Sequence, residues 1–130
     1  MKKTVLAIIA AGTWMNLSEF VRNEWLLKQV WHDGFQHLGL VFPAAPLNGI
    51  MWVVWSFIFV TVLALLTPRL GVLLSALSCW VLGFGLLWIA MWNMGTLPAG
   101  LLQWAVPWSL VEVVVAAYLC MLIINVKKTG

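Results

Sequence analysis

The sequence predicts an all-α membrane protein, a four-transmembrane-helix bundle in a single domain. Of its 130 residues, 64% are hydrophobic and only 8% are charged, whereas a soluble domain carries about 25% charged residues. A membrane-spanning helix takes about 20 residues, so four spans with short connections use nearly the whole chain. No room is left for a soluble domain, and the formal charge of +3 is a topology signal rather than a nucleic-acid patch.

Proline and glycine residues separate the apolar segments. Pro43 and Pro46 precede the second segment and Pro68 follows it, while the stretch from Gly95 to Gly100 forms a tight turn before the fourth. Such residues commonly mark the ends of helices. The predicted helices cover residues 4–27, 48–66, 70–94 and 101–126, and an outer loop covers residues 29–47.

The two halves of the chain share a faint pattern. Pro46 is followed six residues later by Trp52, and Pro98 is followed six residues later by Trp104. Two related helical hairpins would produce this pattern, but tryptophan is common at membrane boundaries in any case. A duplication therefore stays an open alternative.

Basic residues set the predicted orientation. The first segment starts like a signal peptide, but its apolar helix continues past the small residues at which cleavage would occur, so we predict an uncleaved anchor. An excess of Lys and Arg marks the cytoplasmic side, so both termini are predicted to be cytoplasmic. Five of the seven basic residues lie at these ends: Lys2, Lys3, Arg69, Lys127 and Lys128.

Acidic residues and tryptophans concentrate at or toward the other, outer end of the predicted bundle. All four acidic residues are there, namely Glu19, Glu24, Asp33 and Glu112. Eight of the ten tryptophans lie on the same side: Trp25, Trp31, Trp52, Trp55, Trp88, Trp92, Trp104 and Trp108. An interfacial aromatic belt accounts for most of these rings. The open alternative is that two or three of them turn inward and form an aromatic and anionic pocket for an organic cation.

Three predicted helices carry a polar or small-residue face, at about 100° per residue. On the first helix this face comprises Gly12, Asn16, Glu19 and Asn23. On the third it comprises Gly71, Ser75, Cys79, Leu82, Leu86, Ala90 and Asn93. On the fourth it comprises Ala105, Ser109, Glu112, Ala116 and Cys120. Small residues let helix backbones approach closely in lipid, so we expect the three faces to meet inside.

Glu112 is the residue that most needs a physical explanation. It is predicted near mid-depth, about 17 Å from the outer end of its helix at 1.5 Å per residue, where an ionised carboxylate costs several kcal/mol unless it is paired or hydrated. Either it binds a proton or cation, or it is a paired or protonated group that fixes helix register. The candidate partners are Arg22, Asn16, Asn23, Asn93 and Ser109.

Two further groups have a functional and a structural interpretation. Glu19 lies three residues from Arg22, so a local ion pair near the interface would satisfy both side chains. The outer loop contains His32, Asp33 and His37, which could gather around a divalent metal, although their spacing matches no metal motif. For Cys79 and Cys120 we predict buried packing, because no C-x-x-C pair is present.

Several classes of protein lose support from missing motifs. No histidine lies in a predicted span, so a haem held by two histidines between helices is not expected. The chain has no H-E-x-x-H site, no G-x-S-x-G turn and no glycine-rich phosphate loop. We therefore expect neither a cofactor nor enzymatic activity, and a metal enzyme built on the histidine loop is the weakest of the alternatives.

The run from Trp14 to Glu24, the stretch from Phe42 through Pro46 to Trp52, and the later stretch from Asn93 to Gly100 resemble small bacterial four-helix membrane proteins of uncharacterised activity. This resemblance implies a bacterial inner membrane and no activity. In size and helix count the chain is also similar to small multidrug-resistance exporters. Their surrounding sequence is absent, however, and Glu19 sits nearer a helix end than their mid-membrane glutamate.

The leading hypothesis is a non-enzymatic inner-membrane protein that binds or transports a small cationic or amphipathic solute through an outward-facing polar and aromatic pocket. The alternative is an accessory or assembly subunit of a larger membrane complex, with no ligand of its own. The lipid bilayer is the expected partner, and a homo-oligomer or a partner subunit stays open. The candidate site comprises Glu112, Glu19, Asn16, Asn23, Asn93, Arg22 and Trp108.

Overall fold

The computed structural model describes residues 1–125, and every regular element in that range is a helix. Four of these helices are long and apolar enough to cross a membrane, which confirms the predicted all-helical chain with four membrane-length segments. They are α1 (Lys2–Leu26), α3 (Pro46–Leu70), α4 (Val72–Asn93) and α5 (Leu102–Asn125). A shorter helix, α2, covers Lys28–His37. The predicted end of the last helix at residue 126 lies outside the described residues, as do Lys127 and Lys128.

The prediction of a loop over residues 29–47 is wrong in its first half, which forms α2. Gln29 Nε2 donates a hydrogen bond of 2.7 Å to Asp33 Oδ1, one helical turn along. On the opposite side, Val30 and Trp31 are partly buried against the core of the bundle. Polar and apolar residues therefore lie on different sides of a short amphipathic helix. The polar composition of this segment had led to the prediction of a loop.

The helix boundaries around the second span also differ from the prediction. Pro46 occupies the first turn of α3, where a missing N–H costs nothing. The helix continues through Pro68 to Leu70, because a proline in the last turn removes only one backbone hydrogen bond. Gly71, with φ of 78°, then ends the helix, and α4 begins at Val72.

Helix α5 lies at the centre of the bundle and contacts α1, α3 and α4. The five residues of its predicted inward face, Ala105, Ser109, Glu112, Ala116 and Cys120, are all buried. Close approach between α1 and α3 depends on Gly12, since a Cβ at this position would lie 2.4 Å from the Phe57 ring. Small residues thus allow the helices to pack closely, as in other membrane bundles.

A π-turn interrupts each of two spanning helices, Val21–Leu26 in α1 and Val81–Gly85 in α4. Such a turn inserts one extra residue, so the face that follows is rotated by about 100°. The predicted inward face of α4 is therefore wrong from the turn onward. Its last four members, Leu82, Leu86, Ala90 and Asn93, are exposed. Residues one or two positions along face the core instead: Phe84, Trp88 and Met91.

Candidate functional site

Three charged side chains meet inside the bundle between α1 and α5. Glu19, Arg22 and Glu112 are only 9%, 4% and 1% exposed. The Arg22 guanidinium lies between the two carboxylates: Nη2 is 2.5 Å from Glu19 Oε1, and Nη1 is 3.6 Å from Glu112 Oε1. The first contact is a hydrogen-bonded ion pair, whereas the second is longer than a hydrogen bond. We call these three residues the charged centre.

Two donors from α1 hold Glu112, and one indole of α5 holds the first of these donors in turn. The Ser18 hydroxyl donates to Glu112 Oε2, and Trp108 Nε1 donates to Ser18 Oγ at 2.9 Å. Trp14 Nε1 donates to the backbone carbonyl of Glu112 at 3.0 Å. One carboxylate oxygen is thus well held, and the indole rings fix both the side chain and the backbone around it.

A second set of hydrogen bonds connects Glu19 to α2. Asn23 Nδ2 donates to Glu19 Oε2 at 3.1 Å. Trp31 Nε1, from α2, donates to Asn23 Oδ1 at 3.0 Å. Because Trp31 belongs to α2, this bond holds α2 against the charged centre. A chain of hydrogen bonds therefore runs from α2 through Asn23 to Glu19 in the charged centre.

The two π-turns bring Arg22 and Phe84 together. Arg22 lies in the π-turn of α1 and Phe84 in that of α4, and the guanidinium carbon is 5.3 Å from the centroid of the Phe84 ring. This distance is within cation–π range. Phe84 in turn contacts the rings of Trp55, Phe59 and Trp88, with centroids 5.3 to 5.7 Å apart. An aromatic wall therefore closes the side of the charged centre that faces α4.

The charged centre holds more negative than positive charge when its members are ionised. Two carboxylates face one guanidinium, and Arg22 is the one basic side chain buried among residues 1–125. Two buried atoms of the centre, Arg22 Nη1 and Glu112 Oε1, have no hydrogen-bond partner. Buried charges are costly unless they are paired and hydrogen-bonded. With all three members ionised, the centre would carry a net charge of −1 inside the bundle.

The structure brings five of the predicted site residues together, namely Glu112, Glu19, Arg22, Asn23 and Trp108. Asn16 instead donates to the Gly12 carbonyl of its own helix at 2.8 Å. The prediction for Asn93 is wrong, since it lies exposed at the end of α4 after the π-turn has rotated its face.

The tryptophans divide into two groups. Trp25, Trp52, Trp92 and Trp104 are more than half exposed, which fits an aromatic belt. Other indoles donate inside the bundle, and two of these lie outside the predicted outer group: Trp14, and Trp80, which donates to Ser109 Oγ at 2.8 Å. The sequence analysis missed Trp14 and Trp80 because it considered inward-turned rings only among the eight tryptophans of the predicted outer end.

His32, Asp33 and His37, which lie on α2, do not assemble a metal site in the part of the chain that the structure describes. Residues 1–125 contain no group of three or more His, Cys, Asp or Glu side chains able to hold a metal ion. His32 instead packs its ring on Phe42, with centroids 5.0 Å apart. Cys79 and Cys120 are both buried as free thiols.

Two surface grooves lie away from the charged centre. One, of about 590 Å³, follows α2 and the segment after it and includes His32, Asp33 and Phe42. The other, of about 440 Å³, lies between α4 and the start of α5 and includes Trp88 and Leu102. Neither groove is lined by Glu19, Arg22 or Glu112, and these three side chains are themselves buried, so the centre is closed to solvent in this structure. Comparison of the chain with protein-family models, curated proteins and solved structures found no match.

Proposed function

We propose that the chain is a multi-pass protein of the bacterial inner membrane that binds and moves a small cationic solute, without enzymatic activity. The observation that carries the proposal is the charged centre, in which Glu19 and Glu112 outnumber Arg22 inside an apolar bundle. Ionised side chains at this depth are expensive and are typically kept for ion or substrate pathways. A cation entering the centre would balance its excess negative charge.

The distribution of charge supports an orientation with both termini in the cytoplasm. Lys2 and Lys3 at the start of α1 lie on the same side as Arg69 at the end of α3. The opposite side carries Glu24 and Asp33. An excess of basic residues marks the cytoplasmic side, so the charged centre and α2 belong to the outer half of the bundle.

A route from the outer side would reach Glu19 first. Its exposed fraction, 9%, is the largest in the charged centre, whereas that of Glu112 is 1%. The cover over Glu19 includes Asn23, held to α2 by one hydrogen bond from Trp31. Displacement of α2 would open the centre to the outside and expose indole faces that attract organic cations. This is the arrangement that an outward-facing polar and aromatic pocket requires.

Uptake of ethidium, an amphipathic organic cation, into proteoliposomes tests the proposal. Glu112→Gln removes the charge but keeps the shape of the side chain and an oxygen that accepts from Ser18. Glu24→Gln is the matched control, because Glu24 is a half-exposed carboxylate outside the centre. We expect wild-type and Glu24→Gln protein to raise uptake above that of empty liposomes, and Glu112→Gln to lower it at least tenfold. Equal uptake by Glu112→Gln and wild type would contradict the proposed role of the Glu112 carboxylate in cation transport.

An accessory or assembly subunit is the second candidate, and the apolar groove between α4 and α5 favours it. The groove exposes Gly85 between Trp80 and Trp88, a combination of small and aromatic residues that suits helix packing in lipid. Native mass spectrometry after mild purification distinguishes the candidates. A stable, lone monomer counts against the accessory role, whereas a stoichiometric partner that is lost on Gly85→Leu substitution supports it.

A further inference from the structure

The geometry points to a proton as the ion that Glu112 holds in this closed form and gives up when a cationic solute enters the centre. The inference rests on the proposed function, because it names the ion that balances the same site. In the closed form the centre then consists of an ionised Glu19, the Arg22 guanidinium and a neutral Glu112 carboxylic acid, with no net charge.

The unequal contacts of Arg22 favour Glu112 as the protonated member. Arg22 Nη2 is 2.5 Å from Glu19, and Asn23 donates to the other oxygen of that carboxylate. Glu112 Oε1 lies 3.6 Å from Arg22 Nη1 and has no hydrogen-bond partner. An ionised carboxylate can only accept hydrogen bonds, so an ionised Glu112 would bury an oxygen without a hydrogen bond, facing a guanidinium that is already paired more closely with Glu19. Protonation removes the charge from this more weakly paired carboxylate.

The space around the carboxylates also favours a proton over a larger ion. The Arg22 guanidinium lies between Glu19 and Glu112 and packs on the Phe84 ring. Neither surface groove reaches this position. An organic cation or a hydrated metal ion would have to displace Arg22, whereas a proton needs no added volume. The closed centre can therefore be neutralised by a proton without rearrangement.

The charged neighbours of Glu112 come from α1. This helix contributes Glu19 and Arg22, which share the centre, and the uncharged donor Ser18. The other buried titratable groups on helices packed against it are the thiols of Cys79 on α4 and Cys120 on α5. The buried face of α3 carries no titratable side chain. Glu19 and Arg22 are thus the charges that govern protonation of Glu112.

Proton exchange at Glu112 keeps the charge of the centre constant. Release breaks one O–H bond, leaves a carboxylate and passes the proton to water, so the centre changes from neutral to a single negative charge. A monovalent cation that enters at the same time restores neutrality. The Ser18 hydroxyl, which donates to Glu112 Oε2, stabilises the ionised form during the exchange. The expected coupling is one proton out for each monovalent cation in.

Infrared difference spectroscopy on the full-length protein in liposomes, without solute, tests the inference. The wild type at neutral pH should show the C=O stretch of a carboxylic acid, which shifts in D₂O and disappears as the pH rises. Glu112→Gln should lose this band and Glu24→Gln should keep it. Absence of the band from wild-type protein, or its persistence in Glu112→Gln, overturns the inference.

Ser18→Ala provides a second variant that retains both carboxylates. The Ser18 hydroxyl donates to Glu112 Oε2, so its loss should shift the frequency of the carboxylic acid band. A band at an unchanged frequency shows that the protonated carboxylate is not Glu112. The two proposals fail separately. A titrating Glu112 without ethidium uptake overturns the proposed function, and Glu112-dependent uptake without a carboxylic acid band overturns only the proton inference.

Discussion

Replacing Arg22 by methionine removes the buried cation of the centre and keeps a long, flexible side chain in its place. Glu19 loses an ion pair of 2.5 Å, and the Phe84 ring loses its cationic neighbour. The same helical region offers a matched control in Lys28→Met. Lys28 pairs with Glu24 at 3.8 Å, but these two side chains are 59% and 42% exposed. Both substitutions delete one positive charge, and they differ in burial.

Burial decides the expected magnitudes. Removing one partner of a buried ion pair costs about 3–5 kcal/mol, and loss of the contact with Phe84 adds about 0.5–2 kcal/mol. We therefore expect Arg22→Met to lower the free energy of unfolding by about 4–6 kcal/mol. Water screens the exposed pair, so Lys28→Met should lower it by about 0–1 kcal/mol.

Reversible unfolding in mixed micelles, titrated with sodium dodecyl sulfate, measures both free energies. The double variant Glu19→Gln with Arg22→Met completes the test, because it removes the stranded carboxylate together with its partner. We expect it to recover about 2 kcal/mol or more of the loss caused by Arg22→Met, since contacting residues are strongly coupled. A loss no larger than that of Lys28→Met, or a double variant as unstable as the sum of the singles, would refute the buried ion pair.

Two further substitutions probe the packing around the centre by the same unfolding measurement. Trp108→Phe removes the indole donor to Ser18 and should cost about 1 kcal/mol, while Trp104→Phe, at an exposed ring, should change stability by less than about 0.5 kcal/mol; equal effects would contradict the hydrogen bond. Gly12→Ala would place a Cβ 2.4 Å from a phenyl ring of α3 and should cost about 1–3 kcal/mol, whereas Gly49→Ala, with nothing within 4 Å, should stabilise its helix by up to about 1 kcal/mol. Changes of the same sign would argue against the close approach.

The four long helices could be predicted because apolar length and proline or glycine breaks are local properties of the sequence. Helix α2 was missed, since Lys28–His37 is too polar for a span and, at ten residues, too short to be stable as a helix without packing. Its helical form depends on tertiary contacts of Val30 and Trp31 with the bundle. Short isolated helices are marginal in water, and packing rather than propensity stabilises them.

The features of the charged centre that depend on regular helix geometry could be predicted, whereas those that depend on the π-turn of α4 could not. The spacing of Glu19 and Arg22, and the inward face around Glu112, follow from 3.6 residues per turn. Ser18 was not predicted as a site residue, because nothing in the sequence distinguishes this serine until its hydrogen-bond partner, Glu112, is known. Phe84 was missed, and Asn93 wrongly included, because no local signal reveals the π-turn at Val81–Gly85.

The two π-turns also bear on the choice between a working centre and a carboxylate that merely fixes helix register. In α1 the turn makes Leu27 buried and Leu26 exposed, and in α4 it turns Phe84 toward Arg22. A π-turn is rare in helices and occurs often at functional sites. Register alone could be fixed by Ser18 and Glu112 between regular helices. Irregular backbone in two different helices, both contributing to the surroundings of one guanidinium, therefore favours a centre whose contacts change during its task.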